Sequence, residues 1–213
     1  MRHGLNGMIA VVFAGAIMWL GWWKYQDFLT QGSRPPPGTQ KLNEMEVEGV
    51  PDFSIEDLDG NRVELSDFKN KIVILSFWAS WCEPCVQEFP SLVNLIKEMK
   101  GDVVLLAISA DHTLEALQAF IKAFDAKDPN IKIMWDKSQR VAGLYGTEVL
   151  PESYILGYQN KVIRKIAGVD KWDGPQAISF FKELVELRNP KIKEDTDAEE
   201  EEEPVEAGGA GGK

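Results

Sequence analysis

The chain has 213 residues and a formal net charge of −11, and 44% of it is hydrophobic, enough for one medium domain with a buried core plus appendages. Residues 194–213 carry nine acids and one base, which leaves residues 1–193 at only −3. No basic stripe exists, so nucleic-acid binding has no electrostatic footprint, and two cysteines with the separated His3 and His112 do not supply the four or so ligands of a zinc site.

The first feature along the chain is apolar. Residues 8–23, MIAVVFAGAIMWLGWW, run for sixteen residues without a charge. Trp19, Trp22, Trp23 and Tyr25 gather at the far end, as an interfacial aromatic belt would. With Arg2 ahead of the run, the pattern predicts an uncleaved membrane anchor over residues 1–25, its N-terminus inside. A cleaved signal peptide is the alternative, since Ala14, Gly15 and Ala16 are small, but the apolar run continues past them. Residues 31–40, QGSRPPPGTQ, predict an extended polyproline spacer within a linker over residues 26–46. This arrangement would hold the remainder in a periplasmic or extracellular space, where disulfides persist.

A domain is expected over residues 47–188. Residues 53–58 and 62–65, joined through Asp59 and Gly60, alternate as a β-hairpin does. Residues 72–78, IVILSFW, form an apolar run suited to a strand buried on both faces. Cys85, Phe89, Leu92, Val93, Ile96 and Met99 then recur at helical spacing. A second buried strand is predicted over 103–108. A helix follows, capped by Asp111 or Thr113, with Leu114, Leu117, Phe120, Ile121 and Phe124 on one face. After it come a short strand (131–135), a short helix (138–145), a hairpin (153–156 with 162–166) and a closing helix from Pro175 to Leu187. Strands alternating with helices, then a hairpin and a helix, predict an α/β fold with a mixed central sheet covered on both sides. Residues 189–213 are read as an acidic, disordered tail.

The chemistry concentrates where the first buried strand gives way to a helix. Cys82 and Cys85 stand three positions apart there, with Trp81 before them and Glu83 and Pro84 between. A thiolate at a helix N-terminus meets unsatisfied N–H groups and the positive end of the dipole. Cys82 is therefore expected to attack, and Cys85, one turn in, to resolve the mixed disulfide. Residues 76–85, SFWASWCEPC, resemble the active-site signature of the thioredoxin superfamily. With residues 86–90, VQEFP, the upstream hairpin and the N-terminal anchor, they resemble its TlpA/ResA/CcmG-like membrane-anchored branch.

That resemblance implies a thioredoxin-like fold with an added N-terminal β-hairpin, no cofactor, and thiol–disulfide oxidoreductase activity. It further implies a reductant of extracytoplasmic clients such as apocytochrome c, recharged by a membrane electron donor. Glu88 matches the family's acidic residue after the second cysteine, Pro90 the proline that kinks this helix, and Pro151 the cis-proline that faces the cysteines. Two departures stand out. Ser76 takes the place of the buried aspartate of cytoplasmic thioredoxins, and Ser153 and Tyr154 stand where the branch has Thr and Phe. A disulfide oxidase or isomerase is the alternative function. A peroxiredoxin-like peroxidase fits less well, because it needs a lone peroxidatic cysteine in a Thr-rich loop.

Overall fold

The computed structural model describes residues 2–32, 37–124 and 126–187, with side chains described over 12–27, 40–124 and 126–187. The chain divides into two units, residues 1–40 and 41–213. The acidic tail predicted over 189–213 lies outside the described residues.

The first unit contains helix α1, Arg2–Gly32. Between residues 12 and 25 its apolar side chains are exposed, among them Val12, Phe13, Ile17, Met18, Trp19, Trp22 and Trp23. Among the described residues no helix is long and apolar enough to cross a membrane. The part of the expected anchor before Val12 lies outside the described side chains.

Of the spacer expected over residues 31–40, residues 31–32 and 37–40 are helical, and residues 33–36 lie outside the described residues. Helix α1 continues to Gly32, and a second helix, α2, covers Pro37–Glu48. Pro37 is its first residue, where a missing N–H costs nothing. The second unit begins at Lys41, inside this helix, and Met45 on it is buried in the domain core.

Strands β1 (Ser54–Glu56) and β2 (Arg62–Glu64) pair as the antiparallel hairpin the alternation predicts. The main sheet contains β3 (Ile72–Trp78), β4 (Val103–Ser109), β5 (Ile131–Trp135), β6 (Glu152–Leu156) and β7 (Val162–Ala167), in the order β5-β4-β3-β6-β7. Strands β3, β4 and β5 run parallel, and β6 and β7 are antiparallel additions. The helices are α3 (Glu83–Glu98), α4 (Leu114–Ala123), α5 (Arg140–Tyr145) and α6 (Pro175–Glu186). Thr113, of the two expected caps, closes α4 by accepting from the Ala116 N–H at 3.2 Å.

Every residue of β3 and β4 is buried, and the two-residue period of a strand sorts them onto two faces. Ile72, Ile74, Trp78, Val103, Leu105 and Ala107 pack with Phe89, Leu92, Leu117, Phe120 and Phe181, under α3, α4 and α6. Val73, Leu75, Phe77, Val104, Leu106 and Ile108 pack with the hairpin's Phe53 and Val63, with Met45 of α2 and with Tyr145 of α5. Cys82 and Cys85 belong to the first face. The hairpin thus covers the side of the sheet away from the cysteines.

Candidate active site

Strand β3 is the middle strand, and its C-terminal end delivers the chain to α3 through residues 79–82. Cys82 is the N-cap of α3, in extended backbone (φ −87°, ψ 101°), and Pro84 occupies the first helical turn, where a missing N–H is tolerated. The Cys82 sulfur accepts from the Cys85 backbone N–H at 3.3 Å, so a sulfur fills the capping role that a hydroxyl or carboxylate usually fills. Cys82 and Cys85 are joined as a disulfide. Cys82 is 6% exposed and Cys85 2%, which makes Cys82 the outer residue of the pair by a small margin. Glu83 and Pro84 are exposed beside them, and the Gln87 amide donates to Glu83 at 3.3 Å.

Glu88 lies one turn beyond Cys85 and is 2% exposed. Its Oε1 accepts from the indole N–H of Trp172, while Oε2 is buried with no hydrogen-bond partner. Burial pushes the carboxyl up to about 7; the Trp172 indole and the approaching Asp170 backbone N–H pull the other way, and the Asp170 charge adds to the rise. A group poised there can hold or release a proton at neutral pH.

The third piece comes from β6. Phe77 pairs with Glu152, so the residue before it, Pro151, sits at the level of Trp78, at the sheet end that carries the cysteines. The Leu150–Pro151 peptide is cis, and Pro151 is buried. The loop leading into it is held from behind: Glu152 accepts from Thr147 Oγ1 at 2.9 Å and pairs with Lys165 at 3.1 Å. Its Oε1 is also 2.9 Å from the Tyr154 hydroxyl.

Both departures from the family pattern prove to be interior residues. Ser76 and Ser153 face each other across β3 and β6, and Ser153 Oγ donates to Ser76 Oγ at 3.0 Å. Ser153 and Tyr154 are 1% and 0% exposed, so neither can line a docking surface. The absent aspartate is replaced locally by a satisfied hydroxyl pair, and Glu88 supplies a buried carboxyl one turn beyond Cys85.

Trp81 is 55% exposed, immediately before the cysteines, with its ring stacked on His112 at 5.6 Å and an interplanar angle of 5°. Asp111 beside it accepts from the Ser80 backbone N–H at 3.1 Å, from Ser80 Oγ at 2.5 Å and from Ser109 Oγ at 2.7 Å. This carboxylate, one of the two expected helix caps, instead fixes the turn that presents Cys82. Sequence reasoning missed Trp172 altogether, because an isolated tryptophan in a loop carries no periodic or motif signal. Among the described residues, no group of three His, Cys, Asp or Glu is placed to hold a metal ion.

A Cys-x-x-Cys disulfide at a helix N-terminus, a buried carboxyl one turn on and a cis-proline at the same sheet end form an arrangement for thiol–disulfide exchange. Comparison with known proteins agrees. The AhpC/TSA family model matches residues 48–165. The chain is 33% identical over 162 residues to the thiol-disulfide oxidoreductase ResA of Bacillus cereus, covering 76% of this chain and 85% of that protein. Its structure is similar to that of the pneumococcal exposed lipoprotein thioredoxin Etrx1 from Streptococcus pneumoniae strain TIGR4, with a TM-score of 0.54 at 28% identity over 62% of this chain and 99% of that one. It is also similar to a thiol-disulfide oxidoreductase from Bacteroides fragilis NCTC 9343, with a TM-score of 0.53 at 28% identity over 63% and 98% of the two chains.

Proposed function

This chain belongs to the AhpC/TSA family and is a thiol–disulfide oxidoreductase of thioredoxin-like fold, and on that premise we propose that it reduces disulfides of client proteins outside the cytoplasm. The observation that carries the direction is the acidic setting of the pair. Glu83 lies between the cysteines and Glu88 one turn beyond them. Helix N-terminal N–H groups favour a Cys82 thiolate, but both carboxylates oppose it when ionised. Strong oxidants owe their potential to a stabilised reduced form, which these charges work against.

The proposed cycle uses the residues gathered at this end of the sheet. The Cys82 thiolate attacks a client disulfide, forming a mixed disulfide and releasing one client thiolate. Cys85 passes its proton to the Glu88 carboxylate and attacks the Cys82 sulfur, closing the protein's disulfide and releasing the second client thiolate. Two electrons move to the client, and two protons from solvent and Glu88 complete its thiols. Pro151 shapes the surface on which the client lies. Trp81 offers it an exposed apolar face.

Reduction of the Cys82–Cys85 disulfide for the next cycle calls for an electron donor, proposed to lie in the membrane. The exposed apolar side chains from Val12 to Tyr25 support an anchoring role for α1. The client class suggested by the family resemblance is apocytochrome c before haem attachment. The reduction potential of the Cys82–Cys85 pair tests the direction of flow. A value near that of thioredoxin, about −270 mV, or somewhat higher is expected, and one near about −120 mV would mark an oxidase.

A further inference from the structure

We propose that Trp172 is a positioning residue of this site: its indole N–H holds Glu88 by one oxygen, and the loop that carries it clamps α3 beside the cysteines. The inference rests on the reading of Glu88 as proton acceptor and goes beyond it. It starts from a weakness in the helix. Pro90 lies inside α3 and has no N–H to donate to the Val86 carbonyl, so the helix lacks one backbone bond just past Glu88.

The loop between β7 and α6 makes contacts at that place. Trp172 donates its indole N–H to Glu88 Oε1. The Trp172 backbone N–H reaches Ser91 Oγ at 3.3 Å, and Ser91 Oγ donates back to the Glu88 carbonyl at 2.8 Å. Asn94 donates to Asp173 at 3.0 Å. Glu88, Ser91 and Asn94 are spaced by three, so they form one ridge of the helix, and residues 172–173 engage all of it. At its other end the loop is tied to the cis-proline: Gly168, with φ +93°, donates its N–H to the Pro151 carbonyl at 2.8 Å. One segment thus joins Pro151 to Glu88.

Trp172 is 2% exposed and packs against Phe181, so the indole has little freedom to turn away. With Oε1 committed to it, only Oε2 remains without a partner and available for a proton. The charged group that acts on Glu88 from this loop is Asp170, which opposes ionisation. Cys82 and Cys85 are the titrating groups on the side of α3. The Trp172 indole, with the Asp170 backbone N–H, therefore keeps Glu88 able to ionise against burial and the Asp170 charge.

The test is single-turnover reduction of a small model disulfide by the reduced full-length protein across pH, in wild type, Trp172→Phe, Glu88→Gln and the double variant. Trp172→Phe should move the half-maximal pH upward by about one unit, the size of one hydrogen bond to a charged group. The shift should vanish when Glu88 is already Gln. Superimposable wild-type and Trp172→Phe profiles, or an equal shift in the Gln background, would overturn the proposal. Ser91→Ala keeps the question open to test should Trp172→Phe not fold. It loses the hydroxyl that receives the Trp172 backbone N–H, and it should shift the profile the same way by less, again only with Glu88 present; no shift would count against the clamp. If Glu88→Gln alone changes nothing, the carboxylate reading fails and this proposal with it. An oxidising potential would overturn the direction of electron flow and leave the Trp172 result standing.

Discussion

Cys82 and Cys85 differ by only a few per cent in exposure, so the distinct roles proposed for them rest on the helix cap. The Cys82 sulfur accepts the Cys85 N–H at the N-terminus of α3. Cys85→Ala is expected to accumulate a mixed disulfide with client or small thiol, and Cys82→Ala to accumulate none. Equal trapping by both, seen on non-reducing gels or by mass, would reverse the assignment. Glu88 makes a second prediction, this time about stability. The folded carboxyl keeps its proton up to about pH 7, while the unfolded one releases it near the ordinary 4.5. Between those values the folded state binds more protons, so raising the pH through the window removes stability. Glu88→Gln should match wild type near pH 4 and exceed it by ~1–3 kcal/mol at pH 8, the lower end if the new amide N–H groups go unpartnered. Denaturant unfolding of the oxidised proteins at both pH values would show it, and a pH-independent difference would remove burial as the cause. At this scale the Cys82–Cys85 disulfide and the cis bond before Pro151 are legible in short motifs, and the roles of Glu88 and Pro151 stand as proposals. Trp172 is not legible, because its partner lies 84 residues away.

Among the elements, β3, β4, β5 and α3 could be read almost to the residue, since a fully apolar run and a 3.6-residue period leave little choice of structure. Helix α2 could not. Pro35 to Pro37 suggested an extended spacer, but a proline is equally at home as the first residue of a helix, and local sequence does not separate the two uses. What decides is tertiary: Met45 on α2 enters the core face formed by Leu75, Phe77 and Tyr145. Met45→Ala is therefore expected to cost about 2–4 kcal/mol in chemical denaturation. A loss under about 0.5 kcal/mol, the range of an ordinary surface change, would return α2 to the status of a linker. The loop into Pro151 was legible as a cis-proline through its resemblance. Its support was not, because Thr147, Glu152 and Lys165 come together only when β6 and β7 pair.

For the whole molecule, the division at residues 40 and 41 makes a prediction about removal of the first unit. A protein beginning at Lys41 should remain soluble and reduce a model disulfide at the wild-type rate, while leaving the membrane fraction of cells. An insoluble or inactive product would place α1 in the core. Removal of residues 191–213 should leave the melting temperature and the potential unchanged; loss of client reduction at an unchanged potential would make the acidic tail a recognition element. The fold class was readable in the order of strands and helices. The side of the sheet covered by the hairpin was not, because alternation fixes which residues share a face and leaves open which face the hairpin covers.

The contacts that complete this site span long stretches of chain. Ser153 meets Ser76 across 77 positions, and Trp172 meets Glu88 across 84. During synthesis, then, Cys82 and Cys85 leave the ribosome well before the residues proposed to govern them. Until β6 and the Trp172 loop arrive, the pair is an ordinary dithiol, with neither the buried carboxyl nor the proline beside it. On the proposed reading its tuning is acquired only after Trp172 has emerged, so a nascent polypeptide would carry the same two sulfurs with untuned reactivity.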